Sequence, residues 1–352
     1  MKPRLYFFYL GRSTFVKKDL EALAEISQVH ELDLLTTHPS KMLLRLIRQL
    51  FILLNGIGKK NLYICQFAGY HSFLPAFFAR FVGGKCLIIS GGTDCHRFTG
   101  IGYGNFQKRL LSWFTKWSFK WCNHIAVKHE SLWQSDYHYD FREPELQGIA
   151  AFIPGIRTPH SEITNGYEAD EWVSTGCTER IKHSFITITG GLQYSFQKQL
   201  KGIDLILAVA PLFPESTFTI LGVPENQQWT NVPENVRLLP PANQELIKKE
   251  FLKHQFYLQL SMAEGFPNAL CEAMLSGCIP IGSSVFSIPE IIGENGYIVH
   301  HRNLEELKSI LQLAVQENDK LKGEKASESI KKRFPLEKRK SALLSLCHTL
   351  ID

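Results

Sequence analysis

Residues 256–283 read FYLQLSMAEGFPNALCEAMLSGCIPIGS. Two short apolar runs, FYLQLS at 256–261 and CIPIGS at 278–283, enclose room for one short helix. Strand, helix and strand at that spacing make the unit of a parallel sheet with crossover helices. Leu270, Cys271, Ala273, Met274 and Leu275 leave the helix apolar nearly all round, so it is expected to be buried. Yet it carries Glu272 in its second turn, and Glu264 stands just before it. A buried carboxylate needs a partner. In an open α/β sheet, ligands bind at the carboxyl ends of strands, where the loop MAEGF falls. Pro267 suits the first helical turn. The N–H groups of Asn268, Ala269 and Leu270 then point out of the helix N-terminus, a place that attracts a phosphate or another anion. Gly265 lets the backbone pass close to a ligand. Two acceptor-only carboxylates beside such a site suit a ligand that joins phosphate to hydroxyl donors, as a nucleotide sugar does. The residues alone equally admit an exposed Glu264 and a Glu272 paired to a buried Arg or Lys.

The same alternation extends through both halves of the chain. Strands are expected at 5–10, 62–67, 86–90 and 124–127, with helices at about 17–28, 40–54, 72–81 and 106–121. A second series has strands at 184–190, 216–222, 236–239, 256–261 and 278–283, with further helices at 202–213, 243–254 and 304–317. The fold class is therefore α/β, with two doubly wound Rossmann-like units. The stretch RTPHSEITNGYEADEWVSTGCTERIKH, 157–183, is polar and aperiodic and holds the boundary. The expected division is a first domain at 1–165, a linker at 166–182 and a second domain at 183–334, with 335–352 packing back on the first.

Composition narrows the partners. A chain of 352 residues with 44% hydrophobic content is long enough for two cores. The net charge of +5 favours anionic partners, phosphates or acidic lipid, without demanding nucleic acid. Eight cysteines stand singly with no C-x-x-C pair, which reads as reduced, cytosolic thiols and no metal site. The apolar run at 5–10 is broken by Gly11 and Arg12, so it reads as a strand and not as a leader. No segment reaches the roughly 18–20 apolar residues of a membrane span.

From Ser261 to Val299 the sequence SMAEGFPNALCEAMLSGCIPIGSSVFSIPEIIGENGYIV resembles the signature of glycosyltransferase family 4, with the two glutamates at E(x7)E spacing. FITITGGLQYSFQKQLKGIDLILAVAPLF, 185–213, is similar to the first strand, loop and helix of the family's donor domain, and RFPLEKRKSALLSLCHTL, 333–350, to its tail. The resemblance implies a GT-B fold, two Rossmann-like domains facing across a cleft with a C-terminal helix crossing back. It also implies retaining transfer from a nucleotide-diphosphate sugar of UDP or GDP type, without a cofactor or metal. Glu272 would hold the donor ribose and Glu264 would lie near the transferred sugar. Gly265, Phe266, Pro267, Asn268 and Ala269 would meet the diphosphate or sugar, and Lys201 would stabilise the leaving group.

Three positions depart from the family pattern. Gly191 replaces the arginine of GRL, GGTD at 91–94 replaces HGSD, and IPGIRT at 153–158 lacks the asparagine of PNG. Asp94 and His96 are the remaining candidates for the histidine's role, although GGTDCH also reads as a turn with an Asx bend. Gly11 stands where the family brings a glycine near the donor phosphates, and Arg12 is a candidate for the absent cation. No D-x-D motif occurs. SKMLLRLIRQLFILLNGIGKKN, 40–61, and FQKRLLSWFTKWSFKWCNH, 106–124, combine apolar or aromatic faces with cations, the composition of interfacial helices. Tryptophans packed on the sheet would give the same pattern. The expected acceptor is a glycan or lipid-linked molecule of polysaccharide synthesis, met by a cytoplasmic protein at the inner face of an anionic membrane. A nucleotide-sugar epimerase and a catalytically decayed nucleotide-sugar-binding partner are the rival readings.

Overall fold

The computed structural model describes residues 4–173, 179–190, 192, 196–225, 229–317 and 319–352. They divide into two units: Met1–Asp136, Leu146–Gly166 and Leu336–Asp352 in the first, Tyr137–Glu145 and Tyr167–Pro335 in the second.

In the first unit, strands β1 (Arg4–Tyr9), β2 (Val29–Asp33), β3 (Asn61–Gln66), β4 (Lys85–Ile89) and β5 (His124–Val127) precede a short hairpin of β6 (Ser135–Asp136) and β7 (Leu146–Gln147), and β8 (His160–Glu162) follows. All but the hairpin form one parallel sheet in the order β2-β1-β3-β4-β5-β8. Burial on both faces explains why β1, β3 and β4 read as near-continuous apolar runs. Phe8, Tyr63, Cys65, Cys86, Ile88 and Ile125 enter one core, while Phe7, Leu62, Ile64, Leu87, Ile89 and Ala126 enter the other. Helices Thr14–Ala24 and Leu336–Ile351 close the second core through Val16, Leu20, Leu23, Leu343 and Cys347. Between these helices Arg339 donates to both carboxylate oxygens of Asp19, at 2.9 and 2.8 Å, and to the carbonyls of Ile163 and Thr164. Of the tryptophans of helix Arg109–Trp121, Trp113 and Trp121 both meet Phe73 of helix Tyr70–Phe81, Trp117 stacks between them, and Trp121 also packs against the sheet's first core.

The second unit pairs β9 (Ile181–Ile188), β10 (Thr217–Leu221), β11 (Val236–Leu239), β12 (His254–Gln259), β13 (Ile279–Ser283) and β14 (Tyr297–Val299). All are parallel, in the order β11-β10-β9-β12-β13-β14. Phe218, Phe185 and Phe256 stand in register on adjacent strands with rings stacked 4.8 and 4.9 Å apart.

Two boundaries differ from the expected ones. From Tyr167 on, and as far as it is described, the stretch expected as a linker belongs to the second unit, where Trp172 is buried beside Phe251 and its carbonyl accepts from Ser276 Oγ at 3.2 Å. Tyr137–Glu145, expected in the first domain, also clusters with the second. Arg302 donates its backbone N–H to Tyr139 O at 2.6 Å, and its guanidinium pairs with Asp204 and approaches Asp140. Strands β2 and β8 escape the sequence reading because VHELD and HSE, at the two edges of the sheet, are polar and only partly buried. The described cysteines are buried thiols, and burial together with the neighbouring Cys86 pushes the Cys65 thiol well up. Among the described residues, no helix is long and apolar enough to cross a membrane.

Candidate functional site

Strand order in the second sheet reverses between β9 and β12, and the crevice at such a switch point is where doubly wound sheets take ligands. Two segments meet there. Lys201-Gly202 follows helix Phe196–Leu200, and the loop 260–267 follows β12. Met262 N–H donates to Leu200 O at 2.8 Å and ties them together. Gly202 has φ +68°, and a Cβ there would lie 2.3 Å from Leu260 O, so only glycine allows this approach. The Lys-Gly pair therefore has a backbone reason as well as a chemical one. Ser283 Oγ, donating to Ser261 O at 2.7 Å, and Ser287 Oγ, donating to Gly265 O at 3.2 Å, hold the loop from the next strand and turn.

The arrangement brings Lys201 and Glu264 into direct contact, Nζ to Oε1 at 2.5 Å. The same oxygen accepts from Ser261 Oγ at 2.9 Å and Gln259 Nε2 at 3.1 Å. Gln259 in turn accepts from Tyr257 OH at 3.0 Å. Burial, then the charges of Glu264 and Glu272, push the Tyr257 phenol well up, so it remains a donor. Tyr257, Gln259 and Ser261 alternate along β12 and its extension and so face one side, carrying polarity from the core out to Glu264. Sequence reasoning missed these partners, although polar residues at period two in FYLQLS are a readable signal.

Helix Asn268–Leu275 begins one residue later than expected, with Pro267 as its N-cap and no side-chain cap. Among the described residues, no acceptor takes the N–H groups of Ala269 and Leu270. Leu270, Cys271, Ala273, Met274 and Leu275 are buried as expected. Glu272 is not sealed in with them: it is half-buried, as are Glu264, Asn268 and Ala269. Asn268 and Glu272 share a helical stripe, so the opening lies over the first turns of the helix. Asn268 Oδ1 accepts from Tyr167 OH at 2.8 Å, while Gly265, Phe266 and Pro267 are buried, Phe266 edge-on to Phe334 at 5.1 Å. The site thus offers helix N–H donors, a lysine cation and two part-exposed carboxylates within one unit. Gly191 lies outside the described residues.

The first-unit candidates sit differently. Asp94 is buried and accepts from the N–H groups of Ala68, Gly91 and Gly92 at 2.9, 3.0 and 3.1 Å, the turn geometry of the second sequence reading. Burial raises its pKa and those three bonds oppose the rise. His96 is fully buried, which holds its imidazole down to about 3 and neutral. A side chain at Gly91 would collide with the Phe67 ring, 2.0 Å from its Cε1. Gly11 has φ +81° and gives its N–H to Asp33 Oδ1 at 3.0 Å, and Arg12 pairs at the surface with Glu31 at 3.7 Å.

Comparison with known proteins bears on the domain and the fold. Residues 185–316 match the family model described as glycosyl transferases group 1. No curated protein sequence matches the chain. Among solved structures it is similar to sucrose-phosphate synthase from Thermosynechococcus elongatus, with TM-score 0.75, 12% identity and 99% of each chain covered. It is also similar to Anabaena HepE in complex with UDP-glucose, with TM-score 0.71, 12% identity, 98% of this chain and 99% of that one covered. The catalytic domain of starch synthase IV from Arabidopsis thaliana, bound to ADP and acarbose, gives 0.69 and 13% over 99% of each chain. At these identities the likeness establishes the fold, mixed α/β of GT-B type with two parallel six-stranded sheets.

Proposed function

We propose that the group 1 glycosyltransferase domain of this chain takes a hexose from a UDP- or GDP-type sugar and passes it, with retention, to a glycan or lipid-linked acceptor in cell-envelope polysaccharide synthesis. The observation that carries this reading is the half-open stripe of Glu264, Asn268 and Glu272 beside Lys201, at the switch point of an α/β sheet. In the transfer the bond from the sugar C1 to the diphosphate oxygen breaks and one to an acceptor hydroxyl oxygen forms; negative charge grows on the leaving diphosphate, which takes up the hydroxyl's proton. Lys201 and the N–H groups of Ala269 and Leu270 face that charge, and preorganised donors aimed at developing charge are often the largest catalytic contribution. Glu264 holds the lysine in place and has acceptor capacity left for a sugar hydroxyl. Glu272, one turn further, takes the ribose hydroxyls. The reading calls on no metal.

An acceptor at the inner face of an anionic membrane suits the first unit. Leu43, Leu44 and Phe51 of helix Pro39–Leu54 are more than half exposed among Lys41, Arg45 and Arg48, and Leu110 and Phe81 lie open beside the tryptophan cluster. Such a face suits an interfacial surface.

Calorimetry with UDP and with GDP tests the donor reading on the wild type and on Glu272→Ala. The expected result is binding of one nucleotide, weakened by about 1.5 kcal/mol or more in the variant. Binding of neither by the wild type overturns it. Release of free nucleotide from the sugar donor without any acceptor favours the epimerase.

A further inference from the structure

The hairpin that leaves the first unit at Asp136 and returns at Leu146 carries at its tip the most exposed large apolar side chain among the described residues. Phe141 is 94% exposed, against 66% for Leu44, the next in order. The tip that presents it is a closely tied turn. In YDFREPE, 139–145, Glu143 N–H donates to Asp140 O at 3.1 Å, so Phe141 and Arg142 are the two central residues of a four-residue turn. Asp140 suits its first position, because Oδ1 accepts from the N–H of Arg142, two residues on, at 3.1 Å. The Arg142 guanidinium grips the same carboxylate, Nε to Oδ1 at 2.9 Å and Nη2 to Oδ2 at 2.6 Å, and so holds Asp140 below the usual carboxylate range. Beneath the turn, Tyr137 N–H donates to Glu145 O at 2.6 Å. Tyr137, Tyr139, Asp140 and Glu143 are buried, while His138, Phe141, Arg142 and Glu145 face solvent.

The turn is seated on the second unit by segments at the carboxyl edge of its sheet. Arg302, just past β14, donates its N–H to Tyr139 O and pairs with Asp204. Asp204 lies in the first turn of helix Ile203–Val209, which begins directly after Lys201-Gly202. Phe286, just past β13, meets the Tyr137 ring at 5.9 Å and holds φ +49°, uncommon for so bulky a side chain. Its neighbour Ser287 is the residue that donates to Gly265 O in the loop bearing Glu264. Two of the seats therefore belong to the segments that position Lys201 and Glu264. Loops held this way on a rigid scaffold are where binding residues concentrate.

The surroundings of the ring select its occupant. Its exposed neighbours include charges of both signs, Arg142 and Glu145, unlike the apolar and cationic face of helix Pro39–Leu54, so the tip lacks the composition of a membrane surface. A pyranose offers one face of polarised C–H groups, which suits the negative face of an aromatic ring. It also offers a rim of hydroxyls, which suits Arg142, since Asp140 engages only part of that donor fork.

We propose that Phe141 is an acceptor-binding residue, the platform on which a pyranose ring of a glycan acceptor stacks while Arg142 donates to its hydroxyls. This deepens the transferase reading above and rests on it for the identity of the sugar as acceptor. Arg302 is a positioning residue that acts through Tyr139 and Asp140.

Saturation-transfer NMR with maltotriose, cellotriose and chitotriose tests the proposal on the full-length protein, with and without UDP or GDP, in wild type, Phe141→Ala and Phe141→Trp. Expected are saturation of the ring C–H protons of at least one trisaccharide and a roughly tenfold loss of its affinity in Phe141→Ala, by analogy with loss of an aromatic on which a base stacks. Phe141→Trp is expected to restore the affinity. Melting temperature and nucleotide affinity are expected to stay at the wild-type values, since so open a ring supports neither the core nor the donor loop. No saturation from any of the three sugars, or equal affinity in wild type and Phe141→Ala, overturns the platform. Wild-type binding to phosphatidylglycerol vesicles that Phe141→Ala loses overturns it in favour of a membrane anchor, and a wild-type dimer that the variant loses does so in favour of a second copy. A wild type that binds neither nucleotide sinks the donor reading, while the titrations without nucleotide still decide the role of Phe141.

Discussion

At the carboxyl edge of the second sheet, Tyr257, Gln259 and Ser261 pass hydrogen bonds outward to Glu264 and so to Lys201, whereas at that of the first, Asp94 turns inward on the N–H groups of Ala68, Gly91 and Gly92. Both carboxylates follow a strand of a parallel sheet. They differ in what saturates them. A carboxylate met by side chains at a half-open rim keeps lone pairs for a ligand, while one enclosed by backbone donors fixes a turn. Residue type and position alone do not separate these two cases.

The largest expected effect that sharpens this contrast is at Lys201. Replacing it with methionine is expected to lower turnover by roughly 10²–10³, about 2.7–4 kcal/mol by analogy with loss of one oxyanion donor, with little change in melting temperature. Steady-state kinetics beside calorimetric unfolding checks it. If turnover survived, the rim of the second sheet would be no more catalytic than that of the first.

Asp94→Ala is expected to show the opposite split. Three backbone donors lose their acceptor, so stability falls by about 1–3 kcal/mol while the affinity for UDP or GDP is retained. A drop in turnover at full stability would move Asp94 from scaffold to chemistry and dissolve the contrast.

A smaller effect concerns protons. Burial lowers His96 from 6.5 to about 3 and His71 to about 4, so between those values and 6.5 the unfolded chain binds protons that the folded one does not. Their neutral forms add full stability above 6.5, and that stability drains away as pH falls toward the folded values. By about pH 5 each costs about 2 kcal/mol. Urea unfolding of His96→Gln against wild type is expected to give a shallower loss between pH 6.5 and 5, and parallel curves would refute burial as the cause.

Much of the fold was legible because buried parallel strands declare themselves as apolar runs. The edges of the first sheet were not, since VHELD and HSE are polar and only partly buried. At the carboxyl edge of the second sheet, Glu264 and Glu272 could be read from spacing and local geometry, and the Lys-Gly pair from the family resemblance. Lys128 could not. Nothing in CNHIAVKHES distinguishes a strand-end lysine in water from one enclosed by Phe15 and Phe67, because both rings arrive from distant segments. The same holds for the segment 137–145, whose place in the second unit depends on Arg302, far downstream.

The bond between Asp19 and Arg339 spans 320 positions of sequence. At about 5–20 residues per second, a ribosome needs roughly 16 to 64 s to supply the arginine after the aspartate. For that interval the nascent first sheet lacks the helix Leu336–Ile351 that covers its second core, and Asp19 has to stay hydrated. The first unit to be started is therefore the last to be completed. The second unit, whose segments are all made before Leu336, can finish folding ahead of it.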